Sequence, residues 1–138
     1  MLWVMVAIAF IGFLDASYLA VEHFLGLVPP CTIVAGCDTV TTSGYAAILG
    51  IPVALLGSLY YLAIICCLVG YLQTSREELL KIFRYLTIGG LLASAYFVAL
   101  QLFVIHAICL YCMVSATTST LLFLGAWIMF RPAKSAIL

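Results

Sequence analysis

Apolar positions in this chain do not recur at helical or strand intervals; they run on almost without interruption. Four such runs, Leu2 to Phe24, Ile51 to Leu72, Phe83 to Ile105 and Cys109 to Phe130, each reach the length of about 20 residues that a helix needs to cross hydrocarbon. None alternates strictly between polar and apolar. Backbone exposed to lipid must satisfy its own hydrogen bonds, so the pattern predicts helices rather than a barrel. The expected fold is an all-α, integral membrane bundle of four transmembrane helices forming one domain over residues 1–138. The first run lacks a basic leader and an evident Ala-x-Ala cleavage site, and so reads as a span rather than a signal peptide. Between Thr42 and Gly50, residues Ser43 to Leu49 mix small and apolar side chains. That mixture predicts a short interfacial helix capping the bundle over its outer loop.

Composition supports the same solvent. Of 138 residues, 67% are hydrophobic and 7% charged, with a net charge of zero, whereas a soluble domain carries about a quarter charged residues. A chain this short has too much surface for its volume to hide such an apolar composition from water. No basic patch offers itself to nucleic acid. The five basic residues are Arg76, Lys81, Arg84, Arg131 and Lys134, around the second connection and after the fourth span. The positive-inside rule makes that side cytoplasmic. Both termini are then expected in the cytoplasm, with the Gly26 to Gly50 connection and the His106 to Ile108 turn outside. Four of the six cysteines, Cys31, Cys37, Cys109 and Cys112, fall on the outer side, where disulfides are permitted.

Cys109-Leu110-Tyr111-Cys112 is a C-x-x-C at an expected helix N-terminus, where free N–H groups and the positive end of the helix dipole favour a thiolate. The first cysteine gains most. Residues three apart on a helix have Cβ atoms about 5–6 Å apart, slightly beyond the disulfide mode of about 3.8 Å, a separation that suits a pair that opens and closes. Cys112 lies about 4.5 Å further along the axis, toward the membrane. Two other readings stand beside the redox pair. Cys31, Cys37, Cys109 and Cys112 together give the four thiols of a structural zinc site, although the five residues between the first two exceed the usual zinc spacing. Alternatively, two static disulfides brace an outer cap on a non-enzymatic scaffold.

The residues around Cys37 are more specific than a brace requires. Cys31 is followed by Cys37-Asp38-Thr39-Val40-Thr41-Thr42-Ser43-Gly44-Tyr45-Ala46, then Gly50-Ile51-Pro52-Val53 and Gly57-Ser58-Leu59-Tyr60-Tyr61. With the C-x-x-C on the fourth span, this resembles the vitamin K epoxide reductase family in its prokaryotic branch. Tyr18-Leu19-Ala20-Val21-Glu22-His23 and Gln101-Leu102-Phe103 resemble it too. The resemblance implies a relay in the inner membrane of a prokaryote. In it Cys31 meets a reduced thioredoxin-fold partner on the outer side, Cys37 passes electrons to Cys109, and Cys112 faces a bound quinone. The quinone would be ubiquinone, menaquinone or a phylloquinone-like molecule, and no metal is implied. Relatives in bacteria often carry a fused thioredoxin-like domain after the fourth span. Here the sequence stops at Leu138, so the partner is expected to be a separate protein. Animal members place an Asn near the start of span two and a Tyr four residues beyond the second C-x-x-C cysteine. This chain has no Asn, and Ala116 occupies the latter position, so the resemblance does not carry an epoxide substrate over to it. Disulfide bond protein B, the other four-span quinone reductase, has its C-x-x-C in the first outer region, the reverse of the order here.

Ser43 and Tyr45 would be walls or hydrogen-bond partners of the quinone site. His106, three residues before Cys109, would stabilise the thiolate or shuttle protons. Asp15, Tyr18 and Glu22 share one face of span one, which makes them either a packing stripe or a proton route, since an ionisable group in hydrocarbon is a functional candidate by default. Cys66 and Cys67 fall deep in span two and read as small hydrophobes. A bundle enclosing one quinone needs no second subunit.

Overall fold

The computed structural model describes residues 2–26 and 47–129. Four long helices carry nearly all of them: α1 (Leu2–Leu25), α2 (Val53–Thr74), α3 (Glu77–Ala99) and α4 (Leu110–Met129). Each, with α3 extended through the π-helical turn Leu100–Ile105, is long and apolar enough to cross a membrane. Packing closes the helices into a ring, with contacts between α1 and α2, α2 and α3, α3 and α4, and α4 and α1. Cys31, Cys37, Ser43 and Tyr45 lie outside the described residues, as do Arg131 and Lys134.

The helix boundaries follow local chemistry that hydropathy does not register. Instead of starting at Ile51, α2 starts at Val53, because Ile51 and Pro52 pair antiparallel with Ala47 and Ile48 in a two-residue hairpin. The turn residues Leu49 and Gly50 have φ of 53° and 81°. Positive φ at both central positions is the hallmark of the turn that matches strand twist, and glycine accepts it without penalty. Residues 47–49 are thus strand and turn rather than the expected interfacial helix, and residues 43–46 lie outside the described residues. Helix α3 begins at Glu77 rather than Phe83, since Glu77 and Glu78 occupy its first turn, where the helix dipole favours negative charge. Only Ser75 and Arg76 separate α2 from α3. Ser75, at φ 54°, turns the chain while its N–H donates to the Tyr71 carbonyl at 2.8 Å.

Small residues bring α1 against its neighbours. Ala9 and Ala16 are buried along one face of α1, and Gly57 on α2 comes so close that a Cβ there would meet the Ala16 Cβ at 3.6 Å. Where backbones approach this closely, dispersion and interhelical hydrogen bonds replace the hydrophobic effect that lipid cannot supply. Ser17 and Ser58 share such a bond at 2.9 Å. The Tyr61 ring, 1% exposed, fills the space left by the missing side chain of Gly12. Its hydroxyl donates to the Ser115 carbonyl at 2.7 Å and lies 2.7 Å from Thr118 Oγ1, tying α2 to α4. At the other end of the bundle, Arg84 stacks on Trp127 with its guanidinium 4.4 Å from the ring centroid. Cys67 belongs to the buried core, while Cys66 is exposed on the outer surface of α2.

Candidate functional site

The C-x-x-C is assembled by the end of α3 and the start of α4. Helix α3 changes from α to π geometry at Leu100 and ends where His106 adopts a left-handed conformation, φ 56°. The Gln101 carbonyl accepts the N–H groups of both His106 and Ala107. Its side-chain Oε1 accepts the Cys109 N–H at 2.9 Å. One buried glutamine, 2% exposed, therefore fixes both the reversal of the chain and the residue that starts the next helix.

Cys109 is the N-cap of α4. Its carbonyl accepts the Met113 N–H at 3.1 Å, the first bond of the helix. Its sulfur takes the place a serine or aspartate oxygen usually holds at this position, accepting the N–H groups of Tyr111 and Cys112. Both cysteines are free thiols, and the Cys112 thiol donates to the Cys109 sulfur. Cys109 lies just ahead of the spanning helix. The Cys112 hydrogen bond, followed by the two backbone donors, holds its thiol below the ordinary range, although burial opposes this, as a charged Asp15 carboxylate would. From spacing alone the first cysteine is expected to gain most from the helix N-terminus, and it is the Cys109 sulfur that accepts the Tyr111 and Cys112 N–H groups.

Among the described residues, α1 supplies the other wall. Tyr18 lays its ring against Tyr111, between the two cysteines, with centroids 5.5 Å apart, and its hydroxyl bonds with both Glu22 and Tyr111. Asp15 lies within electrostatic reach of Cys109, Cys112 and the Tyr61 hydroxyl. An open groove of about 260 Å³ runs along the outer face of α4, lined by Met113, Ala116, Thr117, Thr120 and Leu121. Ala116, one turn beyond Cys112, leaves it open. Such an apolar hollow with two hydroxyl-bearing side chains suits a flat hydrophobic ring with polar edges.

Of the residues singled out from sequence, Cys109 and Cys112 come together. The His106 imidazole is exposed and is not among the groups that act on the Cys109 thiol; its backbone turns the chain instead. Cys31, Cys37, Ser43 and Tyr45 fall outside the described residues, and with them the four-sulfur zinc reading. Gln101 is the residue whose role the sequence reading missed. Its signal is a single amide side chain in an otherwise apolar run, eight positions before Cys109. Replacing Gln101 with Leu is expected to leave the Cys109 N–H buried and unpaired, at a cost of about 1–3 kcal/mol, and to raise the pH at which Cys109 ionises. Ultraviolet thiolate absorbance against pH checks this.

A search of curated proteins finds no match to the chain. Its sequence does match the profile of the Vitamin K epoxide reductase family over residues 3–127, a stretch that reaches into all four spans and includes the loop cysteines and the C-x-x-C. With the bundle and its cysteine pair, that match shows an integral membrane protein that belongs to the vitamin K epoxide reductase family.

Proposed function

We propose that this member of an oxidoreductase family is a thiol oxidoreductase that passes electrons from a reduced thioredoxin-fold protein through two cysteine pairs to a quinone, and so supports disulfide formation. The observation that carries the reading is the Cys109–Cys112 pair: one sulfur capped by helix N–H groups and the other donating to it. A pair built for structure alone has no need of a stabilised thiolate.

The chemistry is a chain of exchanges, each an attack of a thiolate on a neighbouring disulfide. A thiolate of the partner attacks the Cys31–Cys37 disulfide at Cys31, and the partner's second thiol resolves the mixed disulfide, leaving Cys31 and Cys37 reduced. Cys37 then attacks oxidised Cys109, releasing Cys112, and Cys31 resolves the Cys37–Cys109 bond. The helix N-terminus makes Cys109 a good leaving group in that second step, because a thiol of lower pKa departs faster. The pair is then reduced, as in the structure. A quinone supplies a sink for two electrons and two protons. Met113, Ala116 and Thr117, one turn around Cys112, are the residues that would hold its ring. On this reading both termini lie in the cytoplasm and the cysteines on the outer side, supported by the basic residues Arg76, Lys81 and Arg84 at the opposite end of the bundle.

The test follows quinone absorbance over time, with purified protein in detergent, a reduced thioredoxin-fold donor and a short-chain quinone. The native chain is expected to turn over. Cys31→Ala is expected to block electron delivery from the protein donor and to spare reduction driven by a small membrane-accessible dithiol. Equal rates with both donors in Cys31→Ala sink the assigned order of the relay. Absence of turnover by the native chain with every donor and quinone sinks the enzyme reading in favour of a scaffold.

A further inference from the structure

The reduced pair and a quinone do not balance in protons. When Cys109 is ionised and Cys112 carries its hydrogen, forming their disulfide releases two electrons and one proton, whereas a quinone takes up two of each. The missing proton comes from water or from an acid beside the pair, and Cys109 itself is fully enclosed.

Among the described residues, the acid at that place is Asp15. Its carboxyl interacts electrostatically with both sulfurs, and its Oδ2 is fully enclosed and accepts no hydrogen bond from any described residue. Asp15 is half-buried, and a charge shared with an oxygen that has neither water nor a donor is costly within a span, while the neutral acid is tolerated. The groups facing it are few. Helix α2 presents the Tyr61 hydroxyl, whose hydrogen is committed to the Ser115 carbonyl. The start of α4 presents Cys109 and Cys112. On α1 itself, Tyr18 and Glu22 continue toward the end of the helix, hydrogen-bonded to each other.

We propose that Asp15 rests as the neutral acid and supplies the second proton when Cys109 and Cys112 give their electrons to a quinone, an inference that rests on the quinone reading above. In this step the Cys109 thiolate and Cys112 thiol join in an S–S bond and lose two electrons. The Cys112 proton and the Asp15 proton leave with them. One negative charge, on Cys109 before, is on Asp15 after, until Asp15 takes up a proton again.

Two measurements test this on the purified protein. The infrared spectrum of the dithiol-reduced chain at neutral pH should carry the carbonyl band of a protonated carboxyl, readable because the chain has only five Asp and Glu residues, and Asp15→Asn should remove it. In the quinone assay Asp15→Asn should lose about a hundredfold in rate near neutral pH, the lower end of what general acids contribute, and should slow about tenfold per unit of rising pH where the native rate is level. Asp15→Glu should recover the level profile. Absence of the band, an Asn variant with the native profile, or equal losses in the Asn and Glu variants, as a packing role gives, would each overturn the proposal. A native protein that shows the band yet reduces no quinone would instead overturn the quinone reading, and the proton donation with it.

Discussion

Cys112→Ala reduces quinone turnover to the uncatalysed background and raises the pH at which Cys109 ionises. The first effect follows from chemistry: with one sulfur left, no intramolecular disulfide forms, and the two electrons have no joint exit. The second follows from geometry, since the Cys112 thiol is the principal donor to the Cys109 sulfur. A hydrogen bond to a charged group contributes about 1.5–3 kcal/mol, which at about 1.36 kcal/mol per unit corresponds to an upward shift of about one to two units. The sign is fixed by which form the bond favours. Cys112 donates to the thiolate, so its loss destabilises the ionised form and more alkali is needed to produce it. Ultraviolet thiolate titration in a background lacking Cys31, Cys37, Cys66 and Cys67 measures the shift. A variant that lost turnover but kept the native titration would mean that the Tyr111 and Cys112 backbone donors alone set the thiolate.

The other large effect is structural. Gly12→Ala is expected to destabilise the bundle severely, because a Cβ at that position overlaps the Tyr61 ring. The ring has nowhere to go: it is 1% exposed and its hydroxyl is held by Ser115 and Thr118. Overpacking costs about 1–3 kcal/mol and each displaced hydrogen bond about 1 kcal/mol more, a large part of a typical stability of about 5–15 kcal/mol. Thermal unfolding in detergent gives the measurement, and a double-mutant cycle gives the cause. In Tyr61→Ala the pocket is empty, so adding Gly12→Ala should cost little further. Additive losses would show that the overlap is not the reason.

The positions of the four spans were legible because hydrocarbon imposes one long, simple pattern on a chain. Their ends were not, because end signals are single residues: Pro52 ahead of α2, Glu77 and Glu78 in the first turn of α3, Cys109 as a cap. The hairpin at Ala47–Pro52 escaped for the same reason, since small apolar residues suit an interfacial helix as well as a strand, and only the paired positive φ of Leu49 and Gly50 decides. Within the site, the division between Cys109 and Cys112 could be read from spacing, since it depends on the N-terminal donors of a single helix. The part played by Gln101 could not. It depends on a π-helical turn that rotates the side chain toward a residue beyond the reversal, and no periodicity in the sequence announces that turn. Asp15 was visible as a costly residue, but its neighbours on α2 and α4 are a matter of packing between helices far apart in sequence.

The two-residue link between α2 and α3 has a consequence for how the protein is made. With only Ser75 and Arg76 between them, α2 and α3 form a tight helical hairpin, and joint insertion of the two spans is the expected route. Arg76, Lys81 and Arg84 ride at its tip, and the positive-inside rule expects that tip to stay on the side of synthesis. On the positive-inside rule the orientation of this hairpin is then expected to be set by its own charges rather than by the first span.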